Sequence, residues 1–108
     1  MLKIKKLKNF TANVKHLRKK YKKIDEDLRY FKNAVLENPT IGKDLGHGIY
    51  KLRLKNSSKN RGKRAGFRTI YYYKNIDNTI YAISIYDKSE IENIPTKELI
   101  ELIKNELS

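Results

Sequence analysis

Three strand patterns crowded between Gly46 and Lys88 constrain this chain more than any other feature. Ile49 to Lys55 alternates strictly, with Tyr50, Leu52 and Leu54 toward one side and Lys51, Arg53 and Lys55 toward the other. That period of two predicts a strand of an antiparallel sheet with one solvated, basic face. Phe67 to Tyr73 predicts a second strand, on which Arg68, Ile70 and Tyr72 share a face. Lys74 to Asn78 supplies Asp and Asn for a hairpin turn. Thr79 to Tyr86 returns, and simple alternation puts Tyr81, Ile83 and Ile85 on one face. Both faces of these two runs are apolar, which places them at the centre of the sheet. The segment Lys55 to Arg68 carries Lys55, Lys59, Arg61, Lys63, Arg64 and Arg68 and no acidic residue. Cations this dense on a sheet scaffold point to a polyanion partner, and the neighbouring tyrosines to one with bases to stack on.

The flanking segments are helical apart from the N-terminus. Leu2 to Lys5 alternates apolar and basic residues and reads as a short edge strand. Phe10, Val14, Leu17 and Tyr21 fall on one helical face, with Asn9 or Thr11 available as its cap. Ile24, Leu28, Phe31 and Val35 repeat the spacing; Asp25, Glu26 and Asp27 complement the positive end of that helix, and Asn38-Pro39 stops it. The two helices form a hairpin to lie on the sheet. Asp87 to Pro95 is a loop. Thr96 to Leu107 is a last amphipathic helix with Leu99, Leu102, Ile103 and Leu107 inward. The order β-α-α-β-β-β-α makes residues 1–108 a single α+β domain with a mainly antiparallel four-stranded sheet.

Composition narrows the partners. Lys and Arg number 25 against 12 Asp and Glu, a formal charge of +13. Such an excess repels itself and favours an acidic partner, whether nucleic acid or an acidic, partly disordered protein chain that folds on binding. Cysteine is absent, which excludes disulfides and thiolate metal sites and suits a cytoplasmic protein. No apolar run approaches the roughly 20 residues of a membrane span, and the basic N-terminus lacks the apolar stretch of a signal peptide. No metal site is expected, because Asp25, Glu26 and Asp27 are consecutive and point in different directions on a helix.

Together, three segments resemble a known family. They are Gly48-Ile49-Tyr50-Lys51-Leu52-Arg53, Gly62 through Tyr73, and Ile83-Ser84-Ile85-Tyr86-Asp87-Lys88-Ser89-Glu90. In order and spacing they resemble the RelE/ParE toxin superfamily, and within it the HigB-like, RelE-type mRNA interferases of type II toxin–antitoxin modules. The family pattern has Gly-Gly where this chain has Ala65-Gly66, and a basic residue is common where Tyr50 stands; Asp87 introduces an acid able to pair with Lys88. The resemblance implies a RelE-like fold and cleavage of mRNA in the ribosomal A site without cofactor. It also implies a cognate antitoxin, with operator DNA bound through the toxin–antitoxin complex.

By the same resemblance, Arg68 and Lys88 stabilise the scissile phosphate, Tyr86 stacks on a base or donates a proton, and Lys63 and Arg64 reach the scissile region or rRNA. Lys51, Arg53, Lys55, Lys59 and Arg61 then grip backbone phosphates. Such chemistry is physically reasonable, since positioned cations stabilise charge developing on phosphate and tyrosine can act as an acid. The plainer readings are a strand-end tyrosine at Tyr86, a surface pairing of Arg68 with Glu90 or Glu92, and solvated loop residues at Lys63 and Arg64. Tyr71, Tyr72 and Tyr73 read as strand filling. His16 and His47 read as incidental, although some relatives use a catalytic histidine and His47 adjoins the first basic strand. Two alternative functions remain from the sequence: a ParE-like poison of DNA gyrase, and a non-catalytic basic nucleic-acid-binding module.

Overall fold

The computed structural model describes residues 1–59, 65–91 and 93–107. The chain forms β1 (Lys3–Lys6), α1 (Lys8–Arg18), α2 (Ile24–Glu37), β2 (Lys43–Gly46), β3 (Ile49–Leu54), β4 (Phe67–Lys74), β5 (Thr79–Asp87) and α3 (Thr96–Leu107). The strands make one five-stranded mixed sheet in the order β1-β5-β4-β3-β2. β1 pairs parallel to β5, and the other three pairings are antiparallel. The expected four-stranded sheet is therefore corrected on two counts. Lys43–Gly46 adds an edge strand, and the N-terminal strand runs parallel to its neighbour. The α+β class and the central position of β4 and β5 hold as expected.

Two apolar layers cover the sheet. On one side Phe10, Val14 and Leu17 of α1 and Ile24, Phe31 and Val35 of α2 pack on Leu54, Phe67, Tyr71, Ile80, Ala82 and Ile85. On the other side Leu99 of α3 packs with Ile49, Ile70, Ile83 and Tyr86, and Leu102 and Ile103 lie at its edge. Leu107, expected inward, is instead exposed, while its neighbour Glu106 turns toward the start of α1. α1 ends at Arg18, so Tyr21 reaches the same core from the turn that follows. Asn38 is extended (φ −144°, ψ 96°), as the residue before Pro39 must be.

Neither Asn9 nor Thr11 caps α1. The helix starts after Leu7 with no side-chain cap of its own, and its first amides reach across the fold instead. Lys8 and Asn9 donate backbone N–H groups to the Glu106 carboxylate of α3, at 2.5 and 3.1 Å. A carboxylate at a helix N-terminus satisfies orphan donors and complements the helix dipole.

β5 carries a β-bulge. Its pairing with β4 runs from Phe67↔Asp87 to Ile70↔Ser84 and resumes at Tyr71↔Ala82, which leaves Ile83 as the extra residue. The bulge corrects the simple alternation. Ile83 faces α3, whereas Ile85 packs on the α1–α2 side.

Candidate active site and nucleic-acid interface

Strand register assembles the site. Arg53 of β3 lies opposite Arg68 of β4, and Arg68 lies opposite Tyr86 of β5, a single row across three strands. In the adjacent row Lys43 of β2 lies opposite Lys51, and Lys51 opposite Ile70. Directly opposed residues share a face, and Ile70 and Tyr86 fix this face as the one that carries α3.

Arg68 is buried, with only 4% of its surface exposed. Its Nη1 donates to the Phe67 carbonyl at 3.2 Å. Burial and then Arg53 push the guanidinium pKa down, while Tyr86 and Asp87 oppose them. It is thus a fixed cation, and the surface pairing with Glu90 does not form; Glu90 instead faces Lys20 at 3.6 Å. Tyr86 is 2% exposed, and its buried hydroxyl has no hydrogen-bond partner among the described residues. Burial raises its pKa and Arg68 partly offsets that. The phenol therefore keeps its proton at neutral pH and finds no acceptor for it among the described residues. An unsatisfied buried hydroxyl costs about 1–3 kcal/mol, so it asks for an explanation.

Lys51 is half-buried, and its pKa is lowered first by burial and then by Lys43, Arg68, Arg53 and Lys88. These five cations therefore act on one another. Lys43 was not among the sequence candidates, because the short polar strand that carries it gives no alternation to read. Lys88 follows β5, and its backbone N–H donates to the Gly66 carbonyl at 3.1 Å. A side chain at Gly66 is excluded, since a Cβ there sits 1.9 Å from the Leu54 carbonyl oxygen. Of the family's paired glycines, this chain keeps the one that sterics require.

The remaining candidates divide. Arg53 and Lys55 are exposed. Lys59 is half-buried and donates to the Asp87 carboxylate at 2.6 Å, so Asp87 pairs with Lys59 and not with Lys88. Asp87 also accepts from the Asn56 amide at 2.9 Å and from the Ser89 backbone N–H at 2.9 Å. Burial favours the neutral acid, but the bonds from Lys59, Ser89 and Asn56 outweigh it and hold the Asp87 pKa below the usual carboxylate range. Arg61, Lys63, Arg64 and Glu92 lie outside the described residues. His47 occupies the β2–β3 turn with φ +58°. It is six residues from Arg53 along the chain, about 20 Å of extended strand, so it stands away from the Arg68–Tyr86 row. His16 is exposed on α1. Tyr71 is core, its hydroxyl accepting from the Gly42 N–H at 3.1 Å, and Tyr72 stacks on Tyr81. Among the described residues no group of three or more His, Cys, Asp or Glu is arranged to hold a metal ion. Nor is any described helix long and apolar enough to cross a membrane.

Fold and site together define a small basic domain with a cationic sheet face, the architecture of the RelE-type toxins. The family described as RelE toxin of the RelE/RelB toxin–antitoxin system matches residues 3–105, and this chain belongs to that family. Among solved structures it is similar to an arginine-to-alanine double mutant of the E. coli toxin RelE in the free state. The TM-score is 0.65 at 23% identity, over 94% of this chain and 97% of that one.

Proposed function

We propose that this protein inhibits translation as an endoribonuclease that cuts mRNA engaged by the ribosome, with its own side chains supplying the catalysis. The observation that carries this reading is the row Arg53–Arg68–Tyr86, flanked by Lys51 with its lowered pKa and ending on a buried hydroxyl that has no partner among the described residues. Membership of a toxin family whose members are endoribonucleases supports it.

The reaction needs few parts. The 2′-oxygen of one nucleotide attacks the adjacent phosphorus, the bond from phosphorus to the 5′-oxygen breaks, and a 2′,3′-cyclic phosphate and a 5′-hydroxyl result. The 2′-hydroxyl proton needs an acceptor. Lys51 serves, since burial and four neighbouring cations lower its pKa from the ordinary lysine value. Arg68 and Lys88 balance the charge that develops on the phosphate. Tyr86 lies buried in the layer that α3 covers. That layer must open before Tyr86 gives its proton to the departing 5′-oxygen, which becomes the partner its hydroxyl lacks among the described residues. Arg53 and Lys55 hold flanking phosphates. Reacting programmed ribosomes with the purified protein and mapping the mRNA ends tests this. Arg68→Ala and Tyr86→Phe are expected to lower single-turnover cleavage at least a hundredfold while ribosome binding falls less than tenfold. Equal losses of binding and cleavage would leave only a basic binding module.

The antitoxin partner that the family carries has a fitting seat. A groove of about 660 Å³ runs between α1, α2 and β1. Its floor includes Phe10, Val14 and Phe31, and its rim Lys15, Lys32 and Arg18, the last already paired with Asp25 at 2.5 Å. An apolar floor with a cationic rim matches an acidic amphipathic segment. Lys15→Glu combined with Lys32→Glu is expected to weaken antitoxin binding at least tenfold; unchanged affinity would place the antitoxin elsewhere.

A further inference from the structure

The bulge in β5 decides which way Tyr86 points. Before it, Ile80 and Ala82 face α1 and α2; after it, Ile85 faces them and Tyr86 faces α3. In an unbroken strand Ile80, Ala82 and Tyr86 all share one side, because side chains alternate with a period of two. An even strand would therefore turn Tyr86 toward α1 and α2, away from Arg68. The extra residue reverses that parity.

A bulge takes backbone groups out of the ladder, and buried ones need other partners. α1 provides them. The Asn9 side-chain amide donates to the Ile83 carbonyl at 3.0 Å. The Asn13 side-chain oxygen accepts from the Ile85 N–H and from the Ser84 hydroxyl, both at 3.1 Å. Asn9 also donates to that Asn13 oxygen at 3.4 Å. Residues four apart lie on one helical face, so the two asparagines form a clamp on three consecutive residues, Ile83, Ser84 and Ile85.

We propose that Asn13, assisted by Asn9, is a positioning residue for the reaction: by clamping the bulge it fixes Tyr86 on the same face as Arg68. The proposal rests on the reading of Tyr86 and Arg68 as reacting groups. It assigns α1, which packs on the opposite side of the sheet from the Tyr86 ring, a part in the chemistry.

Three variants test it. Asn13→Ala removes the acceptor; Asn13→Asp keeps an oxygen there. Asn13→Ala with Ser84 deleted removes the need for a clamp. Without Ser84, Ile83 falls opposite Ile70 and the strand alternates evenly, with Ile85 and Tyr86 still facing as in the native chain. Two quantities are read. One is the single-turnover cleavage rate on programmed ribosomes, beside the affinity for them. The other is the set of nuclear Overhauser contacts of the Tyr86 ring. Asn13→Ala is expected to cut at least tenfold more slowly with affinity within twofold, and its Tyr86 ring is expected to lose contact with Ile70 and Leu99. Asn13→Asp is expected within threefold of wild type, and the Ser84 deletion is expected to return the Asn13→Ala rate and ring contacts toward wild type. Native rate and ring contacts in Asn13→Ala overturn the proposal, as does a deletion variant that folds but rescues neither. If Asn13→Ala does not fold, Asn13→Ser, whose hydroxyl is too short for the reach, carries the same comparison. If the wild type cuts no mRNA, the nuclease reading fails, and the ring contacts alone still decide whether the clamp directs Tyr86.

Discussion

Replacing Asp87 with Asn changes one buried charge and almost no volume, so its effect can be worked from the contacts. The Asp87 side chain is 0% exposed. It receives Lys59 Nζ at 2.6 Å, Asn56 Nδ2 at 2.9 Å, the Ser89 N–H at 2.9 Å and the Ser89 hydroxyl. These bonds tie the start of the basic segment after β3 to the end of β5, beside Lys88. An amide at this position retains one acceptor oxygen and turns a donor toward other donors. Hydrogen bonds to a charged group contribute about 1.5–3 kcal/mol each. The Lys59 side chain keeps 22% exposure, so water recovers part of its loss. We expect Asp87→Asn to lose roughly 2–4 kcal/mol, of the order seen when a buried pair is broken. At roughly 4 °C per kcal/mol for a chain of this length, the melting temperature falls by about 8–16 °C. The pH dependence has a fixed sign. The folded carboxyl titrates below its ordinary value, so its contribution is complete above an unfolded Asp pKa of about 3.9 and drains as pH falls through the folded value. Urea unfolding of both proteins at neutral pH and at about pH 3 measures this. The gap between them should be open at neutral pH and narrower in acid. A neutral-pH gap under about 0.5 kcal/mol, or one that does not narrow in acid, refutes the reasoning.

Other expectations follow from single contacts. Gly66→Ala places a Cβ 1.9 Å from the Leu54 carbonyl oxygen and should cost more than about 3 kcal/mol or prevent folding. Gly46→Ala meets nothing within 4 Å and should cost only the roughly 1 kcal/mol of its positive φ; denaturant melts of the two variants compare them. Glu106→Ala strips the acceptor from the first turn of α1 and should cost about 0.5–2 kcal/mol in the same assay. Arg53→Gln removes one of the cations that hold the Lys51 pKa down. That pKa rises, so the rising limb of the cleavage pH profile should move to higher pH; an unmoved limb removes Lys51 from the role of base.

Much of the fold was legible because its signals are local. α3 begins at Thr96 and ends at Leu107, as the apolar spacing predicts, and β3 keeps its basic and apolar sides. β2 was not legible. Lys43-Asp44-Leu45-Gly46 has no alternation, and β3 recruits it through register alone. The direction of β1 depends on which strand it meets, which four residues do not encode. Similarly, the cap of α1 comes from Glu106, 98 positions beyond Lys8. In the site, the sequence itself points to Arg68, Tyr86, Arg53 and Lys51, and register brings them together. Lys59 looked like one more cation of a basic loop, and its role changes only because folding sets Asp87 beside it. The facing of Tyr86 turns on one unpaired residue in β5, and no run of side chains advertises a bulge.

We propose that this basic face cuts mRNA during translation. Primer extension on a translated mRNA, after induced expression in a bacterial host, tests it most directly when wild type is compared with Arg68→Ala and Lys88→Ala. Growth arrest is expected with cuts in phase with codons, which vanish when translation is blocked and which both variants lose. Arrest without cuts would contradict it and point to another target, such as DNA gyrase.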